Sequence, residues 1–349
     1  MALESKLAAA STSDVFLVMG GTGVIGDSLI QSCQQRGIRS IAVSRRSPQQ
    51  RSVSASDKKT PATYIAVDLA DKASISSSTQ HMRDSTVLVY TAYCDEAAVL
   101  SPNQAEFGGP NQYLFHNVME HVVPFLPNLR RIVLIEGVKA YGVHLGPFKT
   151  PAAETDPRPI DSVFYFFQED LLKEKGMKAN WTWTVLRPDA VCGPTAGFPM
   201  NVALGVAVYA SICQELRVPL KFPGSLGGYS TLSQVTDSKL LASAIIWAGT
   251  TSACAHEVIN VTNGDLFRWE NVWPKIAKLF EVDTGPLQQV SLAKQMPQYK
   301  RLWDAMRKTH SLTSPSIDEI VSWGFVDWLL TCDYDVISNV NRLRKLGFH

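Results

Sequence analysis

No stretch of the 349 residues is apolar for long enough to suggest a membrane span. The longest run, Val202 to Cys213, falls well short of the roughly 18 residues needed, so no membrane partner is expected and the run reads as a buried helix. Charge of one sign is missing too. Against 33 basic residues stand 32 acidic ones, and a formal net charge of +1 leaves no electrostatic footprint for a phosphate backbone, so nucleic acid is not an expected partner. Cysteine is scarce and scattered: Cys33, Cys94, Cys192, Cys213, Cys254 and Cys332 form no C-x-x-C pair. That spacing argues against both a zinc site and a disulfide framework, and reduced, buried thiols are expected. Before Val15 the only apolar stretch is Leu7 with three alanines, too short for a signal-peptide core, which points to a cytoplasmic protein. What remains, with 45% hydrophobic residues, is a chain able to bury a sizeable core without a staple.

The hydrophobic pattern alternates between two periods. Val15 to Met19 is a strand-like run that stops at a glycine turn, after which Val24, Ile25, Leu29, Ile30 and Cys33 recur at helical spacing. Further strands are expected at 40–43, 64–67, 87–90 and 131–135, with a helix from about Asn111 to Val123 before the last of these. Strands separated mostly by helices predict an α/β fold, a Rossmann-type doubly wound parallel sheet. The segment from Lys139 to Ile160 is rich in Gly and Pro and lacks periodicity, which predicts a surface loop serving as a substrate flap. Beyond it the pattern predicts a helix at 164–175, a strand at 181–186 and helices at 202–216, 238–248, 269–279 and 337–346, with a short strand at 258–261. The division expected is a cofactor-binding core, 1–190, and a smaller, mainly helical substrate-binding part, 191–349, interleaved with it.

Gly20-Gly21-Thr22-Gly23-Val24-Ile25-Gly26 places glycines between a strand and a helix, the context of a dinucleotide fingerprint. Glycines allow the tight turn, and the helix N-terminus offers free N–H groups and partial positive charge to a pyrophosphate. Where an NAD-binding chain usually carries an acid for the ribose 2′-hydroxyl, this one has Ser44-Arg45-Arg46. Guanidinium groups match a phosphate, so NADP(H) is the cofactor expected. Asp68 and Leu69 after the third strand, Thr91 and Ala92 after the fourth, and Pro188 and Val191 after the sixth complete the candidate cofactor contacts.

The Tyr-x-x-x-Lys pair of ordinary short-chain dehydrogenases is absent: Tyr165 is followed four residues later by Glu169. The segments Glu136-Gly137-Val138-Lys139-Ala140-Tyr141-Gly142-Val143-His144-Leu145-Gly146-Pro147-Phe148 and Phe164-Tyr165-Phe166-Phe167-Gln168-Glu169-Asp170 carry a different resemblance. With Arg187-Pro188, the 219–224 stretch, Gly228-Tyr229-Ser230 and Asn260-Val261-Thr262-Asn263-Gly264-Asp265, they are similar, in the same order, to the progesterone 5β-reductase/iridoid synthase-like family. That family draws its tyrosine and lysine from separate segments. The resemblance covers nearly the whole chain and implies an extended short-chain dehydrogenase fold and NADPH-dependent reduction of an activated C=C bond or a carbonyl. It also implies Tyr165 as the group at the carbonyl oxygen, Lys139 as its cationic assistant, and an apolar pocket for a terpenoid, steroid-like or polyketide substrate.

Two departures stand out. Glu136 occupies the place where short-chain dehydrogenases commonly put Ser or Thr, and the family's Arg-Pro-Gly-Asn becomes Arg187-Pro188-Asp189-Ala190, removing an amide near the nicotinamide. An ionised Glu136 would repel a developing enolate, whereas a buried, protonated one could donate a hydrogen bond or act as an acid. Three readings therefore stay open: the reductase, a redox-neutral isomerase or cyclase using Glu136, Tyr165 or His144, and a non-enzymatic NADP-binding protein. His144 and His256 are weak acid–base candidates, and no His, Cys, Asp and Glu grouping has metal-site spacing. A homodimer is left open.

Overall fold

In β1 (Val15–Met19) Phe16 and Val18 face one side and Val15, Leu17 and Met19 the other, all of them buried. A strand apolar on both faces must be covered twice, which places it at the centre of a parallel sheet with helices on either side. The computed structural model describes residues 13–45, 61–94, 102–161, 163–194, 200–312 and 316–349 and has this architecture. β1 joins β2 (Arg39–Ser44), β3 (Thr63–Ala66), β4 (Val87–Tyr90), β5 (Arg131–Ile135), β6 (Thr182–Pro188) and β7 (Glu257–Val261). All pairings are parallel, in the order β3-β2-β1-β4-β5-β6-β7.

Helices Val24–Arg36 and Ser238–Thr250 cover one face, with Leu29, Ile30 and Cys33 packed against Leu241, Ile245 and Trp247. Ser28 Oγ donates to Ser238 Oγ at 2.8 Å inside that contact. Helices Pro110–His121 and Phe164–Gly176 cover the other face through Phe115, Val118 and Leu172. Each fully buried aliphatic side chain here contributes roughly 1.5–3 kcal/mol. The strand order reverses between β1 and β4, which opens a crevice at their C-terminal ends where ligands bind in such sheets. A third apolar core, built from Val202–Leu216, Trp269–Leu279 and Trp323–Leu330 around the fully buried Trp273, roofs that crevice.

Two expectations are corrected. The 139–160 segment is an irregular loop with many exposed residues, as expected, but it is anchored along its length: Ala140, Tyr141, Val143 and Ala152 are buried. Tyr141 donates to Asn260 Oδ1 at 2.5 Å, and Glu154 accepts from the Asn260 N–H at 2.9 Å. The Ala152 carbonyl accepts from Asn260 Nδ2 at 3.0 Å and from the Asn339 N–H at 2.8 Å. Its backbone partners lie a hundred or more residues away, so no local period announces them. For the same reason the last helix is shorter than the pattern predicts, Asn341–Lys345, because residues 337–339 pair with residue 152 instead of entering the helix.

Candidate active site

The glycine turn is shaped by contact distances. Gly20 has φ +89°, and a Cβ there would lie 2.8 Å from both the Ala92 N and Thr91 Oγ1. At Gly26 a Cβ would meet the Gly20 carbonyl at 2.3 Å. Gly23 N-caps the helix Val24–Arg36 with no side chain over its end, so the first-turn N–H groups face the crevice uncapped. Thr91 Oγ1 donates to the Met19 carbonyl at 2.9 Å, fastening the ends of β1 and β4. Thr22 is half-buried in this turn. The turn is therefore closed tightly on its own backbone and on the strip after β4, and the uncapped helix end beside it fits a dinucleotide pyrophosphate.

At the end of β2, Ser44 is half-buried and Arg45 is exposed; Arg46 lies outside the described residues. Asp68 is exposed and accepts from the Ala70 N–H at 2.9 Å, while Leu69 is buried. The strip after β4 has a brace that the residue pattern does not reveal. Asn111 accepts from the Cys94 N–H at 2.8 Å and donates to its carbonyl at 2.9 Å, and Gln168 Nε2 donates to the Asn111 carbonyl at 3.1 Å. Polar residues on the buried faces of two helices are the available signal.

Opposite the glycine turn, Tyr165 stands in the first turn of Phe164–Gly176, and Lys139 in the 3-10 turn Val138–Tyr141 that follows β5. The Tyr165 hydroxyl lies beside Gly137: a Cβ on that glycine would be 3.3 Å from it. Tyr165, Lys139 and Glu136 line one cavity of about 580 Å³ together with Val24, Ile25, Thr91, Ala92, Pro188 and Val191. The structure thus gathers half of the candidate residues around one space, while Gly20, Thr22, Gly23, Gly26 and Ser44 do not line it. Arg45, Asp68 and Leu69 also stand outside it, after β2 and β3 on the far side of β1 from β4.

Glu136 is tied into a buried charge cluster. Arg187 donates from Nε to Glu136 Oε2 at 2.7 Å and from Nη2 to Glu169 Oε2 at 2.9 Å, and its guanidinium lies 5.1 Å from the Tyr141 ring centroid. Glu169 is further met by Lys173 and, at 3.4 Å, by Arg158, which forks onto Asp170. Burial pushes Glu136 up to about 7 despite Arg187, and its Oε1 has no hydrogen-bond partner. Glu169 is buried as well, yet Lys173, Arg187 and Arg158 outweigh that and hold it below the usual carboxylate range. Asp189 is also buried; with only the Ala190 N–H on Oδ1 at 2.7 Å and nothing on Oδ2, it is pushed up to about 7.

The roof of the cavity is apolar: Met200, Phe267, Phe325, Trp328 and Leu329, with Phe164 at the wall. Trp269, Trp273, Trp303 and Trp323 are core residues, whereas Trp328, 37% exposed, stacks on Phe325 and faces the space. His144 also lines it, with Nε2 2.8 Å from Asp161 Oδ2; His256 packs on Trp183, away from the site. Among the described residues no group of three or more His, Cys, Asp and Glu could hold a metal, and no helix is long and apolar enough to cross a membrane.

Comparison with known proteins bears on the family and the fold. A sequence profile of the PRISE-like Rossmann-fold domain matches residues 49–344. The (S)-8-oxocitronellyl enol synthase of Catharanthus roseus is 30% identical over 97% of this chain and 87% of its own length. The 3-oxo-Delta(4,5)-steroid 5-beta-reductase of Arabidopsis thaliana is 29% identical over 97% and 88%. In fold, the chain is similar to the UDP-glucose 4-epimerase of Thermus thermophilus, solved with NAD, with a TM-score of 0.61, 17% identity and coverage of 96% and 93%.

Proposed function

The chain belongs to the PRISE-like Rossmann-fold family, and from that premise we propose that it is an NADPH-dependent reductase of an enone C=C bond or a carbonyl in a hydrophobic small molecule. One observation carries the proposal: the Tyr165 hydroxyl, beside the turn that bears Lys139, shares an apolar cavity with the foot of the glycine turn. The curated relatives, an enol synthase and a steroid reductase, act on molecules of that polarity.

Gly20 to Gly26 would hold the pyrophosphate, Arg45 the 2′-phosphate, and Thr91, Ala92, Pro188 and Val191 the nicotinamide end. NADPH, when bound, supplies the hydride. The protein's own contribution is to the oxygen. Tyr165 donates a hydrogen bond to the substrate carbonyl, and that bond strengthens as negative charge grows there. Lys139, as an ammonium near the phenol, favours the charged forms and eases proton transfer. Phe325, Trp328 and Leu329 exclude water, which raises the worth of both interactions.

The test is a titration of NADPH and NADH by fluorescence, followed by absorbance loss with 2-cyclohexenone and larger enones, for wild type and Tyr165→Phe. Preferential NADPH binding, with enone-dependent oxidation that falls about 100-fold or more in Tyr165→Phe, is expected. A second reading, a redox-neutral isomerase or cyclase, draws on His144, which is held by Asp161 on the same cavity. Product formed without NADPH oxidation, and lost in His144→Gln, would replace the first reading with this one.

A further inference from the structure

When tyrosine and lysine sit four residues apart on one helix, the backbone fixes their separation. Here they sit on different segments, and tertiary contacts alone set the distance between them. One side chain bonds to both segments. Arg187, with its side chain only 6% exposed, reaches Glu136 at 2.7 Å, three residues before Lys139, and Glu169 at 2.9 Å, one helical turn after Tyr165. It also lies against the ring of Tyr141, two residues after Lys139. Glu169 occupies the position where an ordinary short-chain dehydrogenase carries its lysine, and it points away from the cavity.

We propose that Arg187, with Glu136 and Glu169, is the positioning device that holds Tyr165 and Lys139 in register. The inference rests on the roles assigned above to those two residues. A buried ion cluster is a poor source of net stability because desolvation offsets the attraction. It is a good ruler, because charge-assisted bonds of 2.7–2.9 Å to a planar fork tolerate little displacement. Glu136 Oε2 is thereby a holder of Arg187.

The test uses the full chain in two ways. Arg187→Lys keeps the charge but loses the fork, and Glu169→Gln keeps the shape and an acceptor. Each is expected to lower kcat for NADPH oxidation with 2-cyclohexenone about 10-fold or more, with NADPH Kd and the enone KM within about threefold of wild type. In a Tyr165→Phe background, adding either should cost less than about twofold more, because the clamp acts through that hydroxyl. The second measurement needs no turnover. With 3-fluorotyrosine at position 165, the phenol is titrated by fluorine NMR. Losing the clamp moves the Lys139 ammonium away, and the titration midpoint should rise by about one pH unit in both variants.

Midpoints equal to wild type in both variants, or kcat losses that simply add to that of Tyr165→Phe, would overturn the clamp. An unchanged kcat beside a lowered unfolding midpoint would reduce Arg187 to a structural residue. If Tyr165→Phe oxidises NADPH as fast as wild type, the functional reading falls, while the fluorine titration still decides the clamp.

Discussion

The two walls of the cavity are made of different material. The glycine turn, Gly20 to Gly26, reaches the cavity through Val24 and Ile25, and the shape of its backbone follows from what a Cβ would strike. The opposite wall is side chains brought from Glu136–Tyr141, Tyr165–Glu169 and Arg187–Asp189, held by buried ion pairs. The glycine turn carries no titrating group, and its neighbours at Ala42, Thr91 and Ala92 lie in or just after the adjacent strands β2 and β4. A wall of gathered side chains depends on folding from far apart, and on protonation.

Protonation separates the walls most widely. Glu136 and Asp189 are both pushed up to about 7 by burial, above the values they have unfolded. Their protonated forms therefore favour the fold. That contribution is complete below about pH 4, is lost as pH rises through about 7, and stays lost above it. Groups held low, such as Glu169 and Asp170, act oppositely and in a more acid window. Urea denaturation should show wild type losing stability from pH 5 to pH 8. Asp189→Asn keeps the acceptor for the Ala190 N–H and should flatten that slope, becoming the more stable protein at pH 8 by about 1–3 kcal/mol. An unchanged slope in the variant would break the contrast.

Gly26→Ala probes the glycine turn. Its Cβ would stand 2.3 Å from the Gly20 carbonyl and 2.7 Å from the Gly21 Cα, and neither can move without opening the turn. NADPH affinity should fall about 100-fold, close to 2.7 kcal/mol, with no change in the pH dependence of stability. Binding within threefold of wild type would show that the turn is not the anchor. Arg45→Ala is milder: NADPH should bind about 10-fold more weakly and NADH about as before. Equal losses for the two cofactors would remove Arg45 from the 2′-phosphate site.

The same difference explains what the sequence can be read for. β1, the glycine turn and helix Val24–Arg36 are contiguous, and their order is visible as apolar run, glycines and a 3.6-residue period. The parallel sheet follows from strands apolar on both faces. Tyr165 and Lys139 are legible through the family resemblance, since an aromatic cluster and a lone lysine do not by themselves point to catalysis. Arg187 stands in view as part of an Arg-Pro pair, but its partners are 51 and 18 residues away, and no local spacing relates them. Glu136 reads as an ionised group that would repel an enolate or as a buried acid, and nothing in the sequence points to Arg187 on its Oε2. The 139–160 segment reads as a free loop for the same reason, its hydrogen bonds being closed by Asn260 and Asn339.

The smallest effect lies where the second wall borrows the first wall's method. Gly137 has φ 179°, extended backbone open to any residue, so an alanine there adds no backbone strain. Its Cβ would sit 3.3 Å from the Tyr165 hydroxyl and 3.5 Å from the Pro188 carbonyl. The carbonyl belongs to the end of β6 and is held; the phenol hydroxyl is the end of a side chain and yields by a few tenths of an ångström. A displacement of 1 Å at a reacting centre costs on the order of 100-fold, so Gly137→Ala should lower kcat about threefold, with KM unchanged and stability within about 0.5 kcal/mol of wild type. A kcat equal to wild type would mean that the hydroxyl is not seated against Gly137 during turnover, and that the side-chain wall has a slack the glycine turn lacks.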